Sequence, residues 1–158
     1  VDAQGRVMTR EHTLNVTIPK GIRAGQHLRL AGQGAPGLGQ GKAGDLYLEV
    51  EFAPHARYRV EESDVYLDVP ITPWEAALGA TVKVPTPAGA VEMKVPAGSS
   101  AGTKLRLKGR GIPGTVAGDF FVVLQIAVPP ADTASAKELY AKMAQQFEAF
   151  DARRKLGV

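Results

Sequence analysis

The chain has 158 residues, 44% of them apolar and 22% charged, which is room for one ordinary domain or two small ones and outside the range of disordered sequences. Zero cysteine excludes disulfides and cysteine-ligated zinc, and no run of about 18 apolar residues could cross a membrane as a helix. The net charge of +3 permits weak nucleic-acid contact without requiring it.

The 18 Gly and 11 Pro favour short strands joined by turns, so a mostly β fold is predicted. Leu14, Val16 and Ile18 alternate with polar residues and read as a strand stopped by Pro19. Gly25 marks a turn before the strand Leu28-Arg29-Leu30; a Gly-rich loop then leads to a strand from Asp45 to Phe52. Glu61, Glu62 and Asp64 fall in a polar connector and read as a solvated turn. Val65, Leu67 and Val69 alternate as the next strand. Pro73 to Leu78 is predicted to be a short helix with Thr72 as N-cap, Pro at its first position and Gly79 closing it. On that helix Trp74 is expected to join Leu78 in seating it on a sheet, in preference to acting as a binding anchor. Strands follow at Thr81–Val84, Val91–Val95, Leu105–Leu107 and Asp119–Val128. After Pro129-Pro130 the segment from Ala131 to Phe150 lacks Gly and Pro. It places Leu139, Met143, Phe147 and Phe150 on one helical face, with Tyr140 beside them. A charged tail, Asp151 to Lys155, ends the pattern.

Two stretches of this series are copies of one another. At an offset of 77, Leu14–Gly37 and Val91–Gly114 share 11 of 24 positions, and Gly44-Asp45-Leu46-Tyr47 is answered by Gly118-Asp119-Phe120-Phe121. Some 27 residues separate Asp64 from Val91, whereas only 13 precede Leu14, so the first copy is expected to continue upstream of Val1.

No motif points to catalysis. Gly32–Gly37 and Gly109–Gly114 both match G-x-G-x-x-G, but each leads to a strand instead of a helix. Pro36 and Pro113 also remove donors that a phosphate cradle would use, so a Gly-Pro turn is expected. His12, His27 and His55 lack partners at ligand spacing, and no serine or cysteine has nucleophile context. The sequence is expected to encode no enzyme and to need no metal or cofactor.

The run I-P-x-G-x-x-x-G-x-x-L-R-L-x-G-x-G-x-P-G in both copies resembles the C-terminal domains of DnaJ-type co-chaperones, as do GDLYL, PHARY and DVYLDVPITPWEAALGATVKVPTPAG. The ending LYAKMAQQFEAFDARRKLG is similar to the curved-DNA-binding protein subfamily. The resemblance implies two tandem β-sandwich or barrel-like domains, the first truncated, with a short helix and a C-terminal dimerisation helix. Residues 1–54 would be the remainder of the first domain, 55–130 the second, and 131–158 the helix and basic tail. It further implies a homodimer that holds non-native polypeptide for a DnaK-type chaperone. The J domain that would contact DnaK carries a His-Pro-Asp motif absent from this sequence.

Carried onto this chain, the family's peptide groove falls on Leu48 in the first copy. The equivalent second-copy positions are Leu67, Val69, Val82, Val84 and Val122, which ordinary core packing would explain equally well. Leu139, Tyr140, Met143, Phe147 and Phe150 are the dimerisation candidates, although the same face could fold back on its own domain. The alternative function is binding of curved DNA, with Arg153, Arg154 and Lys155 as the weakly indicated contacts. A cytoplasmic or nucleoid-associated protein, not a membrane protein, is the expected setting.

Overall fold

The computed structural model describes residues 11–157 and forms two compact units. One runs up to Leu67 and takes in Arg106–Phe121; the other holds Asp68–Leu105 and runs on from Val122. The elements are mostly strands: β1 (His27–Leu30), β2 (Leu46–Glu49), β3 (Tyr58–Glu61), β4 (Asp64–Ile71), β5 (Ala80–Thr86), β6 (Gly89–Val95), β7 (Lys104–Leu107) and β8 (Phe120–Ile126). Two helices accompany them, α1 (Pro73–Leu78) and α2 (Ala134–Gln146), with a 3-10 turn at Arg154–Leu156. The strands make three sheets, ordered β1-β2, β3-β4-β8-β7 and β5-β6, and the sheets do not close into a barrel.

The duplication is visible in the ladder itself. Gly25 N–H donates to Val50 O, and Val50 N–H to Gln26 O; Gly102 and Leu124 repeat the pattern, with Thr103 accepting. The β4–β8 pair is bracketed by bonds from Val65 N–H to Asp119 O and from Ala127 N–H to Ile71 O. These advance together along both strands, so the pair is parallel. A parallel pair needs a long crossover, and α1, β5, β6 and β7 are what lies between.

The α1 caps agree with the sequence reading. Thr72 Oγ1 accepts from Glu75 N–H, Glu75 Oε1 accepts from Thr72 N–H at 3.1 Å, and Gly79 at φ 81° ends the helix. Pro73 at the first position needs no donor there.

Burial is unequal between the copies. No described residue before Val65 is buried. In the first unit Val65, Leu67 and Phe120 are buried; in the second, Val69, Ile71, Ala76, Val84, Met93, Val95, Val122 and Leu124. Apart from Ala76 on α1, these side chains stand at alternate positions of their strands, as period-two patterning requires.

Several expectations need correction. Residues 14–18 form no strand: Val91–Val95, their counterpart, pairs with β5, and no described segment pairs with 14–18 in that way. The strand expected over 45–52 stops at Glu49 and the one over 119–128 at Ile126. β3 was not anticipated; it makes a hairpin with β4 through the two-residue turn Glu62-Ser63, where Glu62 takes a left-handed φ of 55°. Trp74 and Leu78 do not seat α1, since they are 56% and 79% exposed and Ala76 is the buried contact. α2 is shorter than 131–150 because the Thr133 hydroxyl caps its first turn by accepting from Ala136 N–H, and Phe147 is already its C-cap. Phe150 therefore lies beyond the helix.

Candidate functional site

The geometry of the Gly-rich motifs decides whether they can bind anything. In the first copy Asp45 Oδ2 accepts from Arg29 Nε at 2.6 Å, and its Oδ1 accepts from Gly32 N–H at 2.9 Å. In the second, Asp119 does the same with Arg106 Nε at 2.6 Å and Gly109 N–H at 2.8 Å. The Gly32 and Gly109 N–H bonds hold both aspartates below the usual carboxylate value, with Arg29 and Arg106 adding to the effect. A side chain added at Gly34 or Gly111 would meet a backbone oxygen at 2.5 Å, because Asp45 or Asp119 passes directly against it. Each motif is thus a loop stapled to its own strand. The amide donor that a phosphate would take is already bonded to a carboxylate, which accords with the turn reading of both motifs.

Exposure sorts the residues considered for polypeptide binding. Leu67, Val69, Val84 and Val122 are buried, with Val84 and Val122 at 0%. Leu48 and Val82 are half-buried. Leu48 stands opposite Leu28 across the β1–β2 ladder, and Leu30 stands opposite Leu46. All four leucines are only half-buried, so this two-stranded sheet keeps an aliphatic face partly open. Sequence reasoning named Leu48 alone; the signal for the other three is the same alternation, read across the pair instead of along one strand. In the second unit Val82 pairs with Met93, which is buried.

The residues considered for dimerisation differ in exposure and in what they line. Tyr140 is half-buried and its hydroxyl donates to Pro129 O, tying α2 to the Pro-Pro segment. Leu139, Met143, Phe147 and Phe150 are all exposed, Leu139 at 68%. Leu139, Tyr140 and Met143 line a groove of about 420 Å³ together with Pro73, Trp74 and Pro129. Trp74 therefore belongs to an accessible apolar site, the role that sequence reasoning ranked second. Phe147 and Phe150 do not line it.

Arg153, Arg154 and Lys155 are exposed; Arg153 N–H donates to Asp151 Oδ1 at 2.8 Å, and the other two lie in the 3-10 turn. Among the described residues no group of three His, Cys, Asp or Glu could hold a metal ion, and no helix is long and apolar enough to cross a membrane.

A duplicated Arg–Asp–Gly staple and an α1 helix opened by Thr72-Pro73 thus sit on the residues that carried the resemblance. The model of the DnaJ C terminal domain matches residues 2–129. The chain belongs to this family. A protein from Coxiella burnetii called curved DNA-binding protein is 50% identical over 157 residues, which cover 99% of this chain and 50% of that protein. Proteins of the same name from Escherichia fergusonii and Pseudomonas putida are 44% and 43% identical over 92% and 89% of the chain. The chain spans about half the length of the curated relatives it matches. Both copies of the repeated stretch fall within the matched residues.

Proposed function

We propose that this DnaJ C-terminal chain holds unfolded polypeptide and associates with a second copy of itself, as the client-binding part of a co-chaperone. The observation that supports it best is the half-open face of Leu28, Leu30, Leu46 and Leu48 on a sheet of only two strands. Each of those strands has an outer edge unpaired among the described residues. An extended client could add along such an edge through main-chain hydrogen bonds, which ignore sequence. The leucines would then favour apolar client side chains. Of the positions drawn from the resemblance, the half-buried Leu48 and Val82 would be the ones to meet a client, and the four buried ones would not.

A second copy would cover the groove between Trp74 and Met143 and the exposed Phe147. Burying such side chains contributes about 1.5–3 kcal/mol each before ordering costs. Two client sites on one dimer would raise avidity by about 10²–10⁴ where one client spans both. Work with a DnaK-type chaperone would run through a J domain.

The test is suppression of aggregation of a chemically denatured client. The parent chain should suppress it, and Leu46→Asp with Leu48→Asp should lose most of the effect while keeping its far-UV spectrum. A parent chain without any effect refutes the reading.

A second reading is favoured by the relatives' names and by the charge pattern: this chain contacts DNA. Its signature is affinity that falls steeply with log salt, whereas apolar-peptide binding barely changes.

A further inference from the structure

Three cations, Arg106, Lys108 and Arg110, stand within five residues that contain no acid. The remaining 16 Lys and Arg are matched by all 16 Asp and Glu, so the chain's net charge of +3 equals the charge of this segment. All three are exposed, while the neighbouring Leu105 and Leu107 are half-buried. Arg106 is on β7, and Lys108 and Arg110 follow in the turn that leaves it. They lead directly into the second Gly-rich loop, whose far end, Gly114 and Thr115, forms one wall of a cleft of about 650 Å³. The other wall carries Lys20, Arg23 and His27, and no carboxylate lines the cleft. Loop and wall are held close: a Cβ on Gly21 would meet Pro113 O at 2.0 Å. Both flanks of this loop thus offer basic groups within one compact unit.

We infer that this surface, the cleft with Lys20 and Arg23 together with Lys108 and Arg110, is where the chain contacts the phosphate backbone of duplex DNA. The inference rests on the DNA reading above and locates it away from the Arg153–Lys155 tail. Lys20, Arg23, Lys108 and Arg110 would meet phosphates through their charge. Such contacts position a duplex without reading its bases, so binding is independent of sequence. Arg106 is engaged with Asp119 and serves mainly to hold the loop that carries its neighbours.

Lys108 and Arg110 directly follow the edge strand β7, and cations at such an edge also discourage strand pairing. That role predicts self-association of neutralised variants and no change in DNA affinity.

The experiment is fluorescence anisotropy of a labelled duplex titrated with the chain over a salt series. Lys20→Gln with Arg23→Gln and Lys108→Gln with Arg110→Gln are compared with a variant carrying Arg153→Gln, Arg154→Gln and Lys155→Gln. Each double variant should lower the slope of log affinity against log salt by about two, and the tail variant should leave it unchanged. Loss confined to the tail variant, or parent slopes in both doubles, overturns this placement while the DNA reading survives. A parent that does not bind duplex at low salt overturns both. Preference for poly-glutamate over duplex in competition assigns the surface to acidic polypeptide and overturns the inference.

Discussion

Arg106 Nε lies 2.6 Å from Asp119 Oδ2, and the same carboxylate accepts from Gly109 N–H, so an aspartate beyond the second Gly-rich loop ties back to the residues that lead into it. Its pKa is depressed, chiefly by the Gly109 bond. A depressed folded-state value stabilises the fold above the ordinary 3.8 and ceases to do so as pH falls through the lower folded value. Asp119→Asn should therefore lower the urea midpoint at neutral pH, and the gap from the parent should close below pH 3.8. A gap that persists unchanged in acid would mean that the charge does not matter and only the packing does.

Gly111 lies against the Asp119 carbonyl, where an added Cβ would sit 2.5 Å away. Gly111→Ala should cost about 1–3 kcal/mol, the range for forcing atoms into occupied space. Gly114, whose nearest backbone atom would be 3.4 Å from a Cβ, is the control, and its alanine variant should cost less. Equal urea midpoints for the two variants would show that the loop yields freely.

Tyr140 ties α2 to Pro129 by its hydroxyl. Tyr140→Phe keeps the ring and removes only that bond, which should cost about 0.5–1.5 kcal/mol. The loss should appear as faster amide exchange in Ala134–Gln146 without change in the core strands.

Trp74 is the chain's single tryptophan and lines the groove with Met143. If a second copy covers that groove, Met143→Asp should yield a monomer by light scattering, and Trp74 emission should shift to longer wavelength. A parent that scatters as a monomer contradicts the proposed self-association.

Much of this was legible in the sequence because short-range chemistry set it. Thr72, Pro73, Glu75 and Gly79 specify α1 through bonds among themselves, so its place needed no tertiary information. The Gly-rich loops were legible because the duplication displayed the same turn residues twice. What escaped depended on partners. Leu14–Ile18 has the alternation of a strand, but a strand also needs a neighbour, and alternation does not say whether one is there. Trp74 was assigned to a sheet on apolarity alone, and apolarity does not tell a seat from an exposed anchor. The groove candidates divided for a similar reason. Period two marks the face a residue shares, so Val84 and Leu48 look alike in sequence, whereas the depth of cover over each face is a property of the fold.

The most direct test of polypeptide holding is heteronuclear NMR of the labelled chain titrated with an unlabelled peptide of alternating leucines. A client held along β2 should shift and protect the amides of Leu46–Glu49 and shift the methyls of Leu28 and Leu48, with little dependence on salt. Saturating peptide that leaves β2 unperturbed, with shifts confined elsewhere or absent, contradicts polypeptide holding there.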